Sequence, residues 1–247
     1  MTFTIVNAKC DPTAAQDKTL PTNSYLVEYE DEGGVLLHDL VLTAKVADVF
    51  DHYYDKFKKG LKTIKQSEGR GRRGNTWSSD SGGFYFSFTS SNNRLLPFIV
   101  GISVVESLVN IKDDIKLKWP NDIILNGKKL GGILCENYGD YTITGIGLNV
   151  SNNILLSDAI NLHDINYKID SLDFISIFEV NFTDNFNLSS ENILEKYAKL
   201  DFLMGKNIVW NQGSGVVESI DIDGSLMVKT SKEIVHLYSE EVHIEKY

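Results

Sequence analysis

Hydrophobic positions along the chain change between strand spacing and helical spacing, a pattern typical of an α+β fold. Short apolar or alternating runs predict strands at 35–37, 61–64, 84–88, 115–119, 123–125, 129–135 and 142–148. Apolar residues at three- and four-residue intervals predict helices at 46–57, at 97–109, at 175–186 with Ser171 as the cap, and at 193–203. The strands between residues 115 and 148 should form an antiparallel meander.

The pattern changes again near the C-terminus, where short strands are separated by turn-forming residues at 211–215, 223–224 and 231–232. About five short strands in roughly 40 residues predict a small β-barrel. We therefore place a domain boundary here, with a larger domain at 1–203 and a smaller one at 204–247. About 34 residues precede the first predicted core strand, and they show no helical periodicity.

Composition limits the classes of protein that the chain can belong to. A formal net charge of −10 opposes binding to a polyanion, so nucleic acid is not an expected partner. The N-terminal residues lack a basic stretch followed by an apolar run, and no stretch approaches a membrane span, so we expect a cytoplasmic protein without a membrane partner. The two cysteines, Cys10 and Cys135, have no second Cys or His at metal-ligand spacing, and we expect both to be structural.

The segment 66–77, Gln-Ser-Glu-Gly-Arg-Gly-Arg-Arg-Gly-Asn-Thr-Trp, contains the clearest gathering of positive charge in the chain. Its glycines let backbone N–H groups approach an anion, and Arg70, Arg72 and Arg73 supply forked donors. This is the composition of a phosphate clamp. A solvated basic surface loop has the same composition and stays open as an alternative.

The spacing of the glycines in this segment also resembles a P-loop. Gly69 and Gly74 are separated as in that motif, but Asn75 stands where a lysine would reach the phosphates. A strand, and not a helix, is predicted to follow. The P-loop alternative is therefore disfavoured.

A second polar segment, Lys118-Trp119-Pro120-Asn121-Asp122, interrupts the predicted meander. Pro120 removes a ladder hydrogen bond and turns the chain, and Asn126-Gly127 is a strong signal for a two-residue hairpin. We expect this hairpin to bring Lys129 back beside Asn121 and Asp122. A lysine, an amide and a carboxylate would then converge.

Glycines interrupt two of the predicted strands. Gly131-Gly132 leave one strand without side chains, so a flat ligand could lie against its backbone. Gly147 lies in the segment Gly-Ile-Gly-Leu-Asn, which ends at Asn149. Bulges or edge strands would also explain these glycines, and ordinary exposed charges would explain Lys118 and Lys129.

Together these segments resemble those of biotin protein ligases. In that family a Gly-Arg-Gly-Arg-Arg-Gly loop precedes Lys-Trp-Pro-Asn-Asp, Lys-Leu-Gly/Ala-Gly-Ile-Leu and Gly-Ile-Gly-Leu/Ile-Asn, and all four occur here in that order. The resemblance is close over residues 35–150, and the C-terminal strands look like the family's SH3-like domain. It implies a central mixed sheet with helices packed on it, a class II aminoacyl-tRNA synthetase-like catalytic domain, plus a small SH3-like β-barrel.

The resemblance also implies an activity and a set of site residues. The enzyme would join biotin and ATP as biotinyl-5'-AMP and transfer the biotin to a lysine of a biotin carboxyl carrier protein. The loop around Arg72 would close over the adenylate and exclude water. The implied ligand contacts lie at Thr43, Gln66, Gly69, Arg70, Gly71, Arg73, Trp77, Asn121, Gly131, Gly132, Ile133, Gly147 and Asn149.

One stretch departs from the family pattern. The family usually has Ser/Thr-Thr-Asn at the start of its first helix, where it contacts the biotin ring. The corresponding stretch here is Val41-Leu42-Thr43-Ala44, in which only Thr43 matches. The resemblance therefore implies fewer polar contacts to the biotin ring on that side, unless another residue compensates.

The implied reaction selects three residues for chemical roles. Biotin's carboxylate must attack the α-phosphate of ATP, and held cations reduce the repulsion between these two anions. Lys129 and Arg72 are the candidates for those cations. Mg²⁺ would bridge the phosphates, with Asp122 as its candidate ligand and as the nearest suggestion for the base that deprotonates the carrier lysine.

Rival functions follow from the same fold. A lipoate or octanoyl ligase has a loop that reads Arg-Arg-x-Ser-Gly-Gly-Gly, which this chain lacks. A biotin-responsive transcriptional repressor carries an N-terminal winged helix-turn-helix, for which we expect too few residues before the first core strand. A non-catalytic biotin-binding scaffold is a third alternative. The assembly stays open, with a homodimer among the alternatives.

Overall fold

The computed structural model describes residues 6–10, 26–30, 36–41, 61–63, 66, 69–154 and 156–245, with side chains from Gln66 onward except Leu172. The predicted helix at 46–57 and the expected ligand contact Thr43 lie outside these ranges. Contacts divide the chain into two compact units, which are described separately. Unit 1 comprises Met1–Asn92 and Leu130–Ile175, and unit 2 comprises Asn93–Lys129 and Ser176–Tyr247.

The described residues form runs of consecutive strands separated by helices. The strands are β1 Val6–Cys10, β2 Leu26–Glu30, β3 Leu36–Val41, β4 Leu61–Thr63, β5 Phe84–Ser91, β6 Ile115–Lys118, β7 Asp122–Leu125, β8 Lys128–Tyr138, β9 Tyr141–Leu148, β10 Asn207–Trp210, β11 Gly213–Ile220, β12 Leu226–Lys229, β13 Ile234–Leu237 and β14 His243–Ile244. The helices are α1 Leu96–Ser107, α2 Ser171–Phe186 and α3 Ser190–Leu200.

Unit 1 is built on a mixed sheet with the strand order β3-β2-β1-β4-β5-β9-β8. β1 and β4 run parallel, with Val6 opposite Leu61, whereas the other neighbours in this order are antiparallel. The predicted mixed sheet is therefore confirmed. β1 and β2 lie before residue 35, where the sequence predicts no core strand, because their apolar runs are short and isolated.

β5 forms the core of unit 1 because both of its faces are covered. Phe84 and Phe88 are buried as the alternation predicts, and Phe174 packs edge-on against Phe84 with ring centroids 5.0 Å apart. Tyr85 on the other face is buried as well, and its hydroxyl donates to the carbonyl of Asp80 at 2.7 Å. A strand buried on both faces accepts apolar residues at successive positions, so strict alternation is lost.

α1 of unit 2 is buried around almost its whole circumference. Phe98 and Val105 are buried as predicted, but Val109, the last member of the predicted apolar stripe, is 53% exposed. The helix ends at Ser107, and the next residue, Leu108, donates its N–H to carbonyls of the last turn. Val109 therefore lies beyond the helix, and the predicted helix end was too late.

The start of α2 differs from the prediction by one residue. Ser171, the predicted cap, is the first helical residue. Asp170 is the cap, since its carboxylate accepts the N–H of Asp173 at 3.1 Å. Aspartate and serine are both good caps, so residue type alone does not separate two neighbours.

α3 begins and ends earlier than predicted. The hydroxyl of Ser189 caps its first turn by accepting the N–H of Asn192 at 3.3 Å. At the other end, Asp201 forms a parallel bridge with Leu117 of β6, and the N–H of Phe202 donates to the Leu117 carbonyl at 2.9 Å. The chain exchanges helical hydrogen bonds for a strand contact at this point.

The C-terminal strands of unit 2 form a five-stranded antiparallel sheet with the order β13-β12-β11-β10-β14. The number of strands agrees with the prediction. One face is buried through the apolar side chains Ile208, Val217, Leu226, Val228 and Leu237. Closure into an SH3-like barrel and a domain boundary between residues 203 and 204 stay predictions. None of the described helices combines the length and the apolar character that a membrane span needs.

Candidate functional site

The segment 69–77, which we call the Gly/Arg turn, folds back on itself through backbone hydrogen bonds. The N–H of Gly71 donates to the carbonyl of Asn75 at 2.7 Å, and the N–H of Trp77 donates to that of Gly69 at 2.8 Å. A Cβ at Gly69 would collide with the Trp77 carbonyl, so this position requires glycine. The segment predicted as a loop thus has a fixed backbone at its base.

The tip of the Gly/Arg turn is a single 3-10 turn at Arg72–Gly74. Arg73 and Gly74 have φ of 55° and 75°, in the left-handed region where glycine is the least strained residue. All residues from the tip to the start of β5 at Phe84 are described, and no helix lies among them. The P-loop alternative is therefore excluded.

The arginines of the Gly/Arg turn have different surroundings. Arg70 makes a two-pronged ion pair with Glu136 of β8, with Nη1–Oε1 and Nη2–Oε2 distances of 3.0 and 2.8 Å. Arg72 is half-buried and its charge reaches Cys135 in the same strand, whereas Arg73 is exposed at the tip. Two of the three positive charges of the turn are therefore partly buried, and the third is exposed.

Cys135 lies near Arg72, but its thiol is not activated. Its Sγ is 3.6 Å from Thr144 Oγ1. Burial raises the pKa of Cys135 to about 12, although the Thr144 hydrogen bond and the charge of Arg72 act in the opposite direction. Such a thiol stays protonated at neutral pH, which agrees with the predicted structural role. The side chain of Cys10 lies outside the described residues.

Glycines of β8 and β9 face each other across the strand pair. Gly132 is opposite Gly147, and Gly131 is opposite Leu148. A Cβ at Gly147 would lie 2.8 Å from ring atoms of Trp77, so this glycine makes room for the tryptophan. A Cβ at Gly131 would lie 2.5 Å from the Gly147 carbonyl. Trp77 thus anchors the Gly/Arg turn on a stretch of sheet without side chains.

Asn149 is held rigidly at the end of β9. It is 7% exposed, its N–H donates to the Leu130 carbonyl at 2.8 Å, and its Oδ1 accepts Nδ2 of Asn152 at 3.1 Å. Asn152 in turn accepts the N–H of Val150 at 3.0 Å. The carboxamide of Asn149 is therefore fixed in one orientation.

Two further predicted contacts lie in unit 1. The N–H of Gln66 donates to the Ser79 carbonyl at 3.1 Å, which ties the entrance of the Gly/Arg turn to its exit, and the residue is half-buried. Ile133 is 2% exposed and belongs to the buried core. Their roles toward a ligand stay predictions.

A second group of predicted residues lies in unit 2. Lys118 is opposite Asp122 in the register of β6 and β7, and the turn residues Asn126 and Gly127 have φ of 51° and 75°. This turn brings Lys129 Nζ to 2.7 Å from Asp122 Oδ1, with the two side chains 36% and 21% exposed. The predicted convergence of lysine and carboxylate is confirmed.

Trp119 anchors the segment between β6 and β7. Its ring is 2% exposed, and its Nε1 donates to the Gly224 carbonyl at 3.0 Å. Pro120 follows through a cis peptide bond, and Asn121 is half-buried beside Asp122. The apolar residue of the segment is therefore structural, whereas its amide and carboxylate remain accessible.

The donor set around Asp122 limits how a metal could bind. Within the described ranges there is no group of three or more His, Cys, Asp or Glu side chains that could hold a metal ion. Asp122 offers one carboxylate, and Lys129 occupies one of its oxygens. This fits Mg²⁺ carried mainly by phosphate oxygens and water, and it does not fit a cage made of protein ligands.

Glu136 and Asn152 were not predicted as site residues. Glu136 follows a run of apolar residues in β8. An acidic side chain after an apolar run is the one feature of the sequence that could have marked it as a site residue. Asn152 lies in an Asn-rich stretch that the sequence suggests to be a loop. Each becomes recognisable only through its partner, Arg70 or Asn149, in the folded chain.

The part of the chain that carries these residues matches known proteins. Residues 50–153 match the model of the Biotin/lipoate A/B protein ligase family. Biotin--protein ligase 2 of Arabidopsis thaliana is 37% identical over 123 residues, 42% of this chain and 37% of that protein. The bifunctional ligase/repressor BirA of Bacillus subtilis is 36% identical over 102 residues, 35% of this chain and 31% of that protein. The matches thus span about a third of these relatives.

The fold also matches solved structures. The biotin protein ligase from Aquifex aeolicus in complex with biotin and ATP has a TM-score of 0.66 and 28% identity, and the match covers 76% of this chain and 89% of that one. The Leishmania major enzyme in complex with biotinyl-5-AMP has a TM-score of 0.57 at 22% identity, covering 80% and 95%. The predicted α+β fold of a biotin ligase catalytic domain is therefore confirmed, whereas the SH3-like barrel stays a prediction.

Proposed function

From its resemblance to biotin protein ligases in sequence and in fold, we propose that this chain is an ATP-dependent biotin protein ligase. In the first step, biotin and MgATP form biotinyl-5'-AMP and release pyrophosphate. In the second step, the biotinyl group passes to the ε-amino group of a lysine in a biotin carboxyl carrier protein or domain, and AMP leaves. The Aquifex aeolicus structure contains biotin and ATP, which supports these two substrates.

The main structural support for the proposal is the packing of the Trp77 ring against Gly147. The base of the Gly/Arg turn is closed by hydrogen bonds, and the Trp77 ring fills the space that a side chain at Gly147 would need. A freely solvated basic loop would not require a glycine beneath it. Three arginines on a fixed base next to bare strand backbone suit a cover for a flat, anionic ligand.

Lys129 and Arg72 are the cations that we assign to adenylate formation. The carboxylate of biotin and the α-phosphate of ATP repel each other, and a fixed positive charge offsets that repulsion without solvent reorganisation. Lys129 is partly exposed and held by Asp122, so its ammonium group is oriented before a substrate arrives. Arg72 is half-buried in the Gly/Arg turn and would stabilise charge on the phosphate as the turn closes.

Mg²⁺ supplies charge neutralisation of the phosphates when it is bound. Asp122 is the residue that would hold it, through the carboxylate oxygen that Lys129 does not occupy. Asp122 is also our candidate for the base that takes a proton from the carrier lysine, since it is partly exposed and next to Asn121. These two roles belong to different steps and do not compete.

The partner in the second step is a carboxyl carrier domain, and the cellular location that we propose is the cytoplasm. The net charge of −10 and the gathering of three of the four arginines in the Gly/Arg turn disfavour nucleic acid as a ligand. A repressor function is therefore not proposed.

Incubation with biotin, MgATP and a carboxylase carrier domain tests the proposal, with labelling read by streptavidin blot. We expect labelling of the carrier lysine and none with a carrier whose lysine is replaced by arginine. Lys129→Ala should abolish the labelling, which would exclude a non-catalytic biotin-binding scaffold. Lack of labelling by the wild type with a competent carrier would refute the proposal.

A lipoate ligase is the second candidate, because the matching family model includes lipoate ligases. The discriminating experiment offers biotin and lipoate separately with MgATP and measures pyrophosphate release. We expect release with biotin alone, since the Gly-Arg-Gly-Arg-Arg-Gly turn resembles the biotin enzymes. Faster release with lipoate would favour the second candidate.

A further inference from the structure

Lys118 of β6 is a cation of unit 2 that lies next to the Asp122–Lys129 pair. It is half-buried, so it differs from the ordinary exposed strand charge that would also explain a lysine here. Among the residues that the structure describes, none forms a hydrogen bond or an ion pair with its ammonium group. A partly buried cation without a partner loses hydration and gains nothing in return. Packing alone therefore does not explain a lysine at this position.

The strand register places Lys118 and Asp122 on the same face of the sheet. The two residues are directly opposite each other in the antiparallel pair of β6 and β7, and residues so placed have Cβ atoms about 4.5–5.5 Å apart. Asp122 is nevertheless bound by Lys129, with 2.7 Å between Oδ1 and Nζ. Two lysines thus stand beside one carboxylate, so one positive charge on this face is not neutralised by it.

Lys116 shows what a lysine of β6 does when its role is structural. It lies two residues before Lys118 and therefore on the same face of the strand. Its Nζ donates to the carbonyl of Lys199 at 3.2 Å, which satisfies one of the last carbonyls of α3. Lys118 has no corresponding contact in the described part of the chain. The lysine without a structural contact is thus the one nearest to Asp122.

We propose that Lys118 binds the β- and γ-phosphates of ATP and then the pyrophosphate that leaves. The inference rests on the proposed function, in which Lys129 serves the biotin carboxylate and the α-phosphate. Lys129 reaches Asp122 on β7, and Lys118 belongs to the adjacent strand, about 4.8 Å further across the sheet. An anion with several charged groups in a row, such as a triphosphate, can contact both lysines.

The chemistry of the first step explains the use of a cation at this place. An oxygen of the biotin carboxylate forms a bond with the α-phosphorus, and the bond from that phosphorus to the oxygen shared with the β-phosphate breaks. The electron pair of the broken bond stays on pyrophosphate, so negative charge grows on the leaving group. A fixed ammonium group stabilises that charge without solvent reorganisation. Lys118 offers such a group, since no described carboxylate has to leave it first.

Isothermal titration calorimetry of the full chain tests the inference with three probes: inorganic pyrophosphate, AMP and biotin. We expect Lys118→Gln to raise the dissociation constant of pyrophosphate roughly tenfold, as for the loss of a hydrogen bond to a charged group. The affinities for AMP and biotin should not change, because neither ligand contains the β- and γ-phosphates. Lys118→Arg keeps the charge and should retain most of the affinity for pyrophosphate.

Lys116→Gln is the matched control, since it removes the same charge from the same face of β6. It should leave the affinity for pyrophosphate unchanged. An equal loss in Lys116→Gln and Lys118→Gln would mean that only the overall charge of the strand matters, and would overturn the inference.

The remaining outcomes separate the inference from its alternatives. Wild-type affinity for pyrophosphate in Lys118→Gln overturns it, and so does an equal loss for pyrophosphate and AMP, which would place Lys118 at the α-phosphate. A lower melting temperature with a loss for all three probes would assign a structural role only, and would also overturn it. If the wild type binds biotin but not pyrophosphate, the inference alone fails. If the wild type does not bind biotin, the proposed function fails.

Discussion

The guanidinium of Arg70 and the carboxylate of Glu136 form a two-pronged ion pair between the Gly/Arg turn and β8, with N–O distances of 3.0 and 2.8 Å. Each side chain is about one third exposed, at 32% and 30%. Solvent screening limits such a pair to about 0–1 kcal/mol of stability. A phosphate that binds the same two N–H groups of Arg70 must displace Glu136, and the pair is weak enough for that exchange.

Glu136→Gln should therefore tighten the binding of the adenylate. The amide has nearly the same shape, but it no longer competes for Arg70 as an anion, so we expect about a three- to tenfold lower dissociation constant. Calorimetry with a non-hydrolysable biotinyl-adenylate analogue measures it. Glu241→Gln, a change at an exposed position, is the matched control. Weaker or equal binding in Glu136→Gln would show that Glu136 does not restrain Arg70.

Arg72→Ala should still make biotinyl-adenylate, more slowly and with Lys129 as the remaining cation, but release it to solution. The half-buried guanidinium is lost from the turn that we expect to cover the intermediate, so water reaches it. During turnover without carrier, the amount of free adenylate in the medium, measured by chromatography, should rise several-fold. An increase of that size is expected from the loss of one charge-assisted hydrogen bond. Arg73→Ala at the exposed tip should have a smaller effect. An Arg72 variant that leaks no more than wild type would contradict the retention role.

Gly147→Ala should destabilise the fold and displace the Gly/Arg turn. A Cβ at this position would lie 2.8 Å from the Trp77 ring, and overpacking of this kind costs about 1–3 kcal/mol. Urea denaturation followed by tryptophan fluorescence measures the loss. Gly145→Ala is the control in the same strand, since the nearest heavy atom to its Cβ would be 3.8 Å away. Equal stability of the two variants would mean that Trp77 does not pack on Gly147.

Cys135 should resist alkylation in the folded protein. Its pKa is raised from 9.0 to about 12, so at pH 8 the thiolate fraction, and with it the rate, should fall about 1,000-fold relative to the unfolded chain. The rate is measured by mass spectrometry of a Cys10→Ser variant during iodoacetamide labelling, with and without denaturant. Because the folded pKa is raised, the thiol contributes stability below pH 9 that is lost as the pH approaches 12. Rapid labelling of the native protein at pH 8 would show that the thiol is accessible and ionised.

The Asp122–Lys129 pair could be predicted because local signals fix it. Pro120 and the Asn126-Gly127 turn set the backbone over a few residues, and the register then follows from the turn. The sequence was equally informative about β5, where aromatic residues dominate.

Relationships between distant residues could not be predicted in the same way. Arg70 and Glu136 are 66 residues apart, and neither the pairing nor its two-pronged geometry has a local signal. The end of α3 was misplaced for the same reason, since the competing partner, Leu117 of β6, is distant in sequence. Tertiary contacts decide such positions.

Trp119 has a consequence for how the chain can be divided. Its indole N–H is bound by the carbonyl of Gly224, 105 residues away, and a Cβ at Gly224 would already be 3.2 Å from Phe98. A shortened protein that stops before the C-terminal strands would expose the indole and leave the Lys-Trp-Pro-Asn-Asp segment without its anchor. Swapping the C-terminal strands for those of a relative would therefore have to preserve this one backbone acceptor, even though it touches no ligand.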